Sequence, residues 1–375
     1  MPGSTVARVG RRVEKARVAL AGLGKVSAPH LEAYRALPEV DLVGGCDPSP
    51  AARAHAEDRH GLRTYASVDD LLGSESVDLL CVLTPTATHR GVVEAAARHD
   101  VAVLCEKPLA ATVADGEAIV ETCARAGVPL AYGSSYRFLA PVAAARELVR
   151  AGAIGEVALI VETLVGGRGR AAHESIGSEH YPYGTPGGTP MGIVDHGIHF
   201  IDVAPWLAGR QVVSARGRGN TSGDELGPEY VALELDGGAL AQLVCFDGSW
   251  STALPNEGQW LAGDGWDTSG ELLPAGSWGR DIVELHVYGS EGALRIAPYA
   301  HRLYRSGPHG IEEAPVDGLP APHHFGVQLR ATLDALASGG PLPVPGEVGL
   351  TALRTLHSIY SDDRQGVAIG GRDVV

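Results

Sequence analysis

The chain reads as an α/β protein in two parts: an N-terminal doubly wound parallel sheet, then an α+β part built on a mostly antiparallel open sheet. Three observations carry that expectation. From residue 17 to about 150, short apolar runs alternate with helical patterns. Those runs are continuous rather than alternating, as expected of strands covered on both faces and joined by helical crossovers. After Gly155 the texture changes to β-like runs with few long helices between them. At 375 residues the chain exceeds one ordinary domain, and domains at 1–150 and 151–375 are expected.

In order, the predicted strands and helices of the first part are "RVALAG" and a segment through Leu37, "VDLVGGCD" and "SPAARAHAEDRHG", "VDLLCVLTP" and "THRGVVEAAARHD". They continue with "VAVLCEKP" and "TVADGEAIVETCARAG", then "VPLAYGSS" and "APVAAARELVRAG". In the second part "EVALIVETLV", "EYVALELDGGALAQLVCFDG" and "DIVELHVYGSEGALRIA" supply strands. Helical patterns near 323–338 and 346–364 are expected to return onto the first part or the sheet, with His323 and His324 capping or packing at the start of the former. Two irregular stretches interrupt this half, 166–192 and 248–280, the latter holding Trp250, Trp260, Trp266 and Trp278.

Hydrophobic residues make up 45% and charged residues 20%, the balance of a folded soluble protein. Thirty Lys and Arg against 45 Asp and Glu give a net charge of −15, which repels phosphate backbones and anionic lipid surfaces. Neither nucleic acid nor membrane is expected as a partner. Arg11 and Arg12 precede no separate apolar segment, since Val18–Ala21 reads better as the first strand, so a cytoplasmic location is expected. Five cysteines without a CxxC pair read as buried, reduced thiols.

The turn after the first strand is "GLGKVS": Gly22 and Gly24, then Lys25 and Val26, with Ser27 where a third glycine would fall. The first glycine permits the tight turn, and the second lets backbone N–H groups close on a pyrophosphate at a helix N-terminus. The third only relieves helix packing, so serine suffices. Asp47 ends the second strand 25 positions after Gly22, where a carboxylate would accept hydrogen bonds from a ribose diol, unless Asp47-Pro48 merely caps the next helix. A carboxylate there repels a 2′-phosphate and no arginine follows it directly, so NAD is expected over NADP.

"GLGKVSAPH", "TPTATH" at 84–89, "CEKPLA" at 105–110 and "DHGIHFIDVAPWLAG" at 195–209 together resemble the Gfo/Idh/MocA family of NAD(P)-dependent oxidoreductases. The likeness runs over nearly the whole chain. It implies a Rossmann domain followed by a sheet domain, and oxidation of a secondary alcohol of a sugar, sugar derivative or cyclitol. The family's EKP triplet maps its catalytic lysine onto Lys107, beside Glu106, and its D-x-x-x-H pair onto Asp195 and His199. Its Thr-Pro and following His map onto Thr84, Pro85 and His89, beside the nicotinamide. Three departures stand out: Ser27 for glycine, Pro205 late in the D-x-x-x-H helix, and a long Trp-rich stretch.

Hydride removal from a CH–OH carbon requires the hydroxyl proton to leave as well. Lys107 at the C-terminal end of a parallel strand suits a cation that polarises the alcohol, its alternative being an ion pair with Glu106. Asp195 and His199 are i and i+4, on one face if helical; His199 would be the base and Asp195 would orient, although a neutral Lys107 is a second candidate base. A metal site through Asp195, His196 and His199 lacks a further ligand, and His196 points about 100° away on a helix, so no metal is expected. Tyr136 and Arg137, after the sixth strand, and Trp260 and Trp266 are candidate substrate contacts, the tryptophans equally suiting a small core or an interface. Two other functions share these residues: a redox-neutral lyase or glycosidase-type enzyme that keeps NAD for transient sugar oxidation, and a non-catalytic cofactor-binding protein. An antiparallel sheet with one uncovered face predicts a homodimer or homotetramer.

Overall fold

A computed structural model describes residues 15–165, 192–218, 228–246, 259–261, 265–267, 285–361 and 367–368. Its strands and helices run β1 (Ala16–Ala21), α1 (Ser27–Arg35), β2 (Val40–Cys46), α2 (Pro50–His60), β3 (Thr64–Tyr65), α3 (Val68–Ser74), β4 (Leu79–Val82), α4 (His89–Arg98), β5 (Ala102–Glu106), α5 (Val113–Ala126) and β6 (Leu130–Gly133). There follow α6 (Ala140–Arg150), β7 (Val157–Val165), α7 (Ile198–Ala208), β8 (Val212–Arg218), β9 (Glu229–Leu235), β10 (Leu240–Phe246), β11 (Gln259–Leu261) and β12 (Gly265–Asp267). The chain ends with β13 (Leu285–Gly289), β14 (Ala293–Ala297), β15 (Arg302–Gly307), β16 (Gly310–Ala314), α8 (His324–Ser338), α9 (Gly346–Ser361) and β17 (Val367–Ala368). Two compact units result: one of residues through Ala110, Ala114–Gly133 and Phe325–Leu350, the other of Ala111–Val113, Ser134–His324 and Thr351 onward.

The first unit is a six-stranded parallel sheet in the order β3-β2-β1-β4-β5-β6, the doubly wound arrangement expected from the sequence. Every residue of β4 and β5 is buried. Burial on both faces is why those runs carry no polar alternation, and each enclosed Leu or Val contributes about 1.5–3 kcal/mol. The helices are delimited locally. Ser49 Oγ accepts from Ala52 N–H ahead of Pro50 in the first turn of α2, and Gly61 ends it at φ +56°. Two elements escape the sequence reading, β3 and α3; β3 is a two-residue edge strand, too short to show a period. Phe325 and Leu329 of α8 join this unit's core beside Leu31, Tyr34 and Leu79.

The second unit holds a nine-stranded sheet, order β16-β15-β14-β13-β7-β10-β9-β8-β17, antiparallel except where β10 runs parallel to β7. Here burial alternates, as in β9, whose Glu229, Val231, Leu233 and Leu235 are covered while Tyr230 and Glu234 are exposed. The covered face, with Ile160, Leu243 and Val287, packs with α7 into one apolar core. The opposite face leaves Tyr230, Leu240, Val244 and Tyr288 more than 40% exposed. Strands β11 and β12 form a separate antiparallel pair that sets Trp260 opposite Trp266; Trp250 and Trp278 lie outside the described residues, as does most of the 166–192 stretch.

All five cysteines are buried and none is in a disulfide. Burial pushes the Cys46 and Cys81 thiols up to about 12 and that of Cys123 to about 11. No described helix is long and apolar enough to cross a membrane.

Candidate active site

In the first unit the predicted residues converge on the C-terminal ends of the parallel strands. Gly22 adopts φ +95°, and a Cβ there would stand 2.6 Å from the carbonyl oxygen of Leu83, so only glycine fits. Its N–H donates to the carbonyl of Cys46 at 2.8 Å, which joins the turn to the end of β2. A Cβ at Gly24 would instead project into open space, and Lys25 and Val26 beyond it are exposed. Helix α1 starts just after, without a side-chain cap or an acidic residue in its first turn. Its first N–H groups turn back on the loop, Ser27 N–H to the Gly24 carbonyl at 3.0 Å and Ala28 N–H to that of Lys25 at 3.4 Å, and Pro29 has none, so the N–H groups of the turn itself and the positive end of the helix dipole remain for an anion. Ser27 is accommodated inside the turn, its hydroxyl donating to the Gly24 carbonyl at 2.6 Å.

Asp47 is half-buried, and both its oxygens are engaged, Oδ2 by Leu23 N–H at 3.0 Å and Oδ1 by Ser49 N–H at 2.8 Å. The carboxylate therefore braces the glycine turn and holds Ser49, the residue that caps α2. Arg53, which the sequence reading passed over, donates to the carbonyl oxygens of Asp47 at 2.7 Å and Pro48 at 3.0 Å.

Beyond β4, the Thr84 hydroxyl is buried without a hydrogen-bond partner among the described residues. Such an orphan beside the glycine turn fits a bound cofactor with polar edges. Pro85 next to it is exposed. His89, by contrast, is enclosed: Nε2 lies 2.9 Å from the Thr84 carbonyl oxygen and Nδ1 3.2 Å from that of Leu109. It ties the loop after β4 to the loop after β5 rather than presenting a ring to a ligand, and burial pushes its pKa down. Lys107 follows β5 and is half-buried; Glu106 is buried and its Oε2 accepts from Lys107 N–H at 3.1 Å. A polar groove of about 750 Å³, lined by Arg17, Asp41, Glu57, Arg63 and Glu75, lies instead at the other edge of this sheet. Ligands of open α/β sheets bind at the strands' C-terminal ends, away from this groove.

In the second unit, Gly192–Gly197 forms a π-helical turn that leads into α7. Asp195 falls in this wider turn and His199 in the α-helix, so the simple α-helical i, i+4 spacing is loosened at its start. The side chain of Asp195 lies outside what is described. Pro205 is inside α7 but more than a turn beyond His199, and the helix closes at Gly209.

His199 is 7% exposed and stacks face to face on Tyr136, ring centroids 3.8 Å apart and planes 9° from parallel. The Tyr136 hydroxyl accepts from that of Tyr299 at 2.8 Å. His196 turns the other way, its Nε2 2.8 Å from the buried Glu162 carboxylate, with its ring edge-on to Tyr136. Arg137 grips Asp202 through Nε at 2.9 Å and through Nη2, Ser134 Oγ donates to the same carboxylate, and the guanidinium lies over Trp206. Arg137 is thereby committed to anchoring residues 134–138 on α7. Tyr299, Glu162 and Asp202 were missed in the sequence; each meets its partner through packing across the fold, a signal that spacing does not carry. Among the described residues no three His, Cys, Asp or Glu side chains stand together as a metal site.

Residues 16–134 match a family described as an oxidoreductase family with an NAD-binding Rossmann fold, and 142–295 match its GFO/IDH/MocA C-terminal domain. A D-apiose dehydrogenase of Paraburkholderia graminis is 32% identical over 94% of this chain and 89% of its own length. An inositol 2-dehydrogenase of Saccharopolyspora erythraea is 28% identical over 86% of this chain and 85% of its own. Among solved structures, an oxidoreductase from Agrobacterium radiobacter in complex with NAD+, L-tartaric acid and magnesium superposes with TM-score 0.75 at 23% identity, covering 95% of this chain and 98% of that one. An aldose-aldose oxidoreductase from Caulobacter crescentus complexed with glycerol gives 0.76 at 22%, covering 95% and 100%.

Proposed function

Because the chain belongs to the Gfo/Idh/MocA family of NAD-binding oxidoreductases, we propose that it transfers a hydride between a secondary alcohol of a sugar, sugar derivative or cyclitol and NAD. The observation that carries this reading is the C-terminal edge of the parallel sheet. A glycine turn only Gly22 can make, an open Gly24, the braced Asp47, the orphan Thr84 hydroxyl and Lys107 all stand at the ends of its strands. The relatives named above as D-apiose and inositol dehydrogenases support the substrate class.

Gly22, Gly24, Lys25 and Val26 hold the pyrophosphate, Asp47 the adenosine ribose, and Thr84, Pro85, His89 and Glu106 shape the nicotinamide end. Bound NAD supplies the hydride acceptor. Lys107 hydrogen-bonds the reacting oxygen and stabilises its developing charge, while His199 takes the hydroxyl proton and Asp195 orients it. Tyr136 fixes the His199 ring by stacking and lines the substrate pocket; Arg137 supports it through Asp202, and Trp260 and Trp266 contribute apolar contacts to the sugar. Absorbance of reduced nicotinamide across a screen of aldoses and cyclitols tests the reading. Turnover of at least one is expected, and none with NAD demonstrably bound overturns it.

The protein is proposed to work in the cytoplasm, which the buried reduced thiols favour, without nucleic-acid or membrane partners at a net charge of −15. A homodimer or homotetramer is favoured by the exposed Tyr230, Leu240, Val244 and Tyr288 on one sheet face. Sedimentation of a Val244→Glu variant as a smaller species than wild type is the expected result.

A further inference from the structure

Beneath the cofactor edge of the first unit runs a row of polar side chains that the proposed chemistry does not use. His30 on α1 is 1% exposed, set in a core of Leu31, Tyr34, Leu79, Cys81 and Phe325. Its Nδ1 lies 2.8 Å from the Tyr34 hydroxyl. Its Nε2 lies 3.4 Å from Glu106 Oε1, an ion-pair separation, and makes no hydrogen bond among the described residues. The remaining neighbours are the Phe325 ring from α8, its centroid 4.0 Å away, and the buried Cys81 of β4 in the same core. The Glu106 carboxylate is bounded by this imidazole, by the N–H of Lys107, and by Gly133, where a Cβ would stand 3.1 Å from Oε1. His89 and Cys105 complete the titratable groups near it.

The donor inventory selects one tautomer. A carboxylate only accepts, so the proton belongs on Nε2, and Nδ1 then accepts from the Tyr34 O–H. The donors thus run in one direction, from phenol to imidazole to carboxylate. At 3.4 Å the last link is long for an N–H···O bond, and it is the link the proposal requires to close.

We propose that His30 is a positioning residue: its Nε2–H fixes the Glu106 carboxylate at the end of β5 and, through the Lys107 backbone, sets the lysine for its task. The proposal rests on the reading that Lys107 acts on the substrate. A supporting group of this kind alters rate by about 10- to 100-fold when lost.

Selective ¹⁵N labelling of histidine in the NAD-loaded protein tests the contact without activity. The His30 signals, assigned by their loss in His30→Gln, are expected to report a proton on Nε2 and to move in Glu106→Gln. An Nε2 without a proton, or signals unmoved by that change, overturns the proposal. Kinetics test its consequence. His30→Leu is expected to lower kcat about 10- to 100-fold with NAD affinity within about threefold, and His30→Gln, which can donate to Glu106 and accept from Tyr34, to recover most of it. In a Glu106→Gln background the His30→Leu change should cost less than about threefold. Equal losses in both backgrounds, or a glutamine variant no better than leucine, mean that the imidazole only packs. Undiminished turnover in Lys107→Ala would instead defeat the functional reading, and the resonance experiment would still decide the contact.

Discussion

The two units use polar groups in opposite ways. In the parallel sheet the central strands β4 and β5 are sealed on both faces, and most polar atoms proposed to bind or react sit on turns at the strand ends, positioned by backbone: a glycine at positive φ, the turn ahead of α1, a carboxylate held by Leu23 and Ser49. In the nine-stranded sheet one face is covered, and the polar groups lie under the cover, positioned by rings and ion pairs: His199 on Tyr136, His196 on Glu162, Asp202 under Arg137. The first arrangement depends on dihedral angles and the second on side-chain shape, so they should fail to different insults.

The contrast can be sharpened by experiment, beginning with the largest effect. Lys107→Ala is expected to lower turnover by about 10³-fold, as loss of a group touching the reacting oxygen does, while NAD affinity stays within a few-fold. Turnover by nicotinamide absorbance and binding by calorimetry check the split; a parallel fall in both would make Lys107 a binding residue. In the second unit, Tyr136→Leu removes the ring under His199 and is expected to lower kcat by about 10- to 100-fold. Tyr136→Phe keeps the stack, gives up only the Tyr299 bond and should lose less than about fivefold. Equal losses would show that the hydroxyl, not the ring, is what matters.

Gly22→Ala forces a side chain into φ +95° and against the Leu83 carbonyl, at a cost of about 1–3 kcal/mol in stability. Weaker NAD binding by about tenfold or more should accompany a lower urea midpoint. A variant with wild-type affinity would show that the turn is more compliant than its geometry implies. The smallest effect concerns pH. Burial lowers the pKa of His89, so the folded state resists a proton that the unfolded chain accepts near its ordinary value of about 6.5. Its contribution is full above that value and declines as pH falls below it towards the lowered folded pKa. Urea midpoints at pH 7.5 and 5.5 should differ in that sense, and less so in His89→Gln.

These differences also govern what could be read from residues alone. The parallel strands were legible because continuous apolar runs such as "VDLLCVLTP" have one explanation, burial on both faces, and the glycine turn because its constraint is local. The two-residue β3 was not legible, since pairing rather than composition makes it a strand. In the second unit the spacing of Asp195 and His199 pointed to one segment, but it gave no hint of the π-helical turn. Nor could it show that the support for His199 comes from Tyr136, whose hydroxyl meets a residue 163 positions away. The commitment of Arg137 to Asp202 was hidden for the same reason: an arginine after a strand looks like a ligand contact until its carboxylate is found.

The sealed thiols have a practical corollary. With Cys46 and Cys81 raised to about 12 and burial holding Cys105 well above the ordinary thiol range, these side chains offer almost no thiolate for an alkylating agent or a peroxide to attack at neutral pH. Maleimide uptake then becomes a clock for transient opening. Because four of the five cysteines belong to the parallel unit, mass spectrometry of the labelled peptides would show which half of the molecule breathes first.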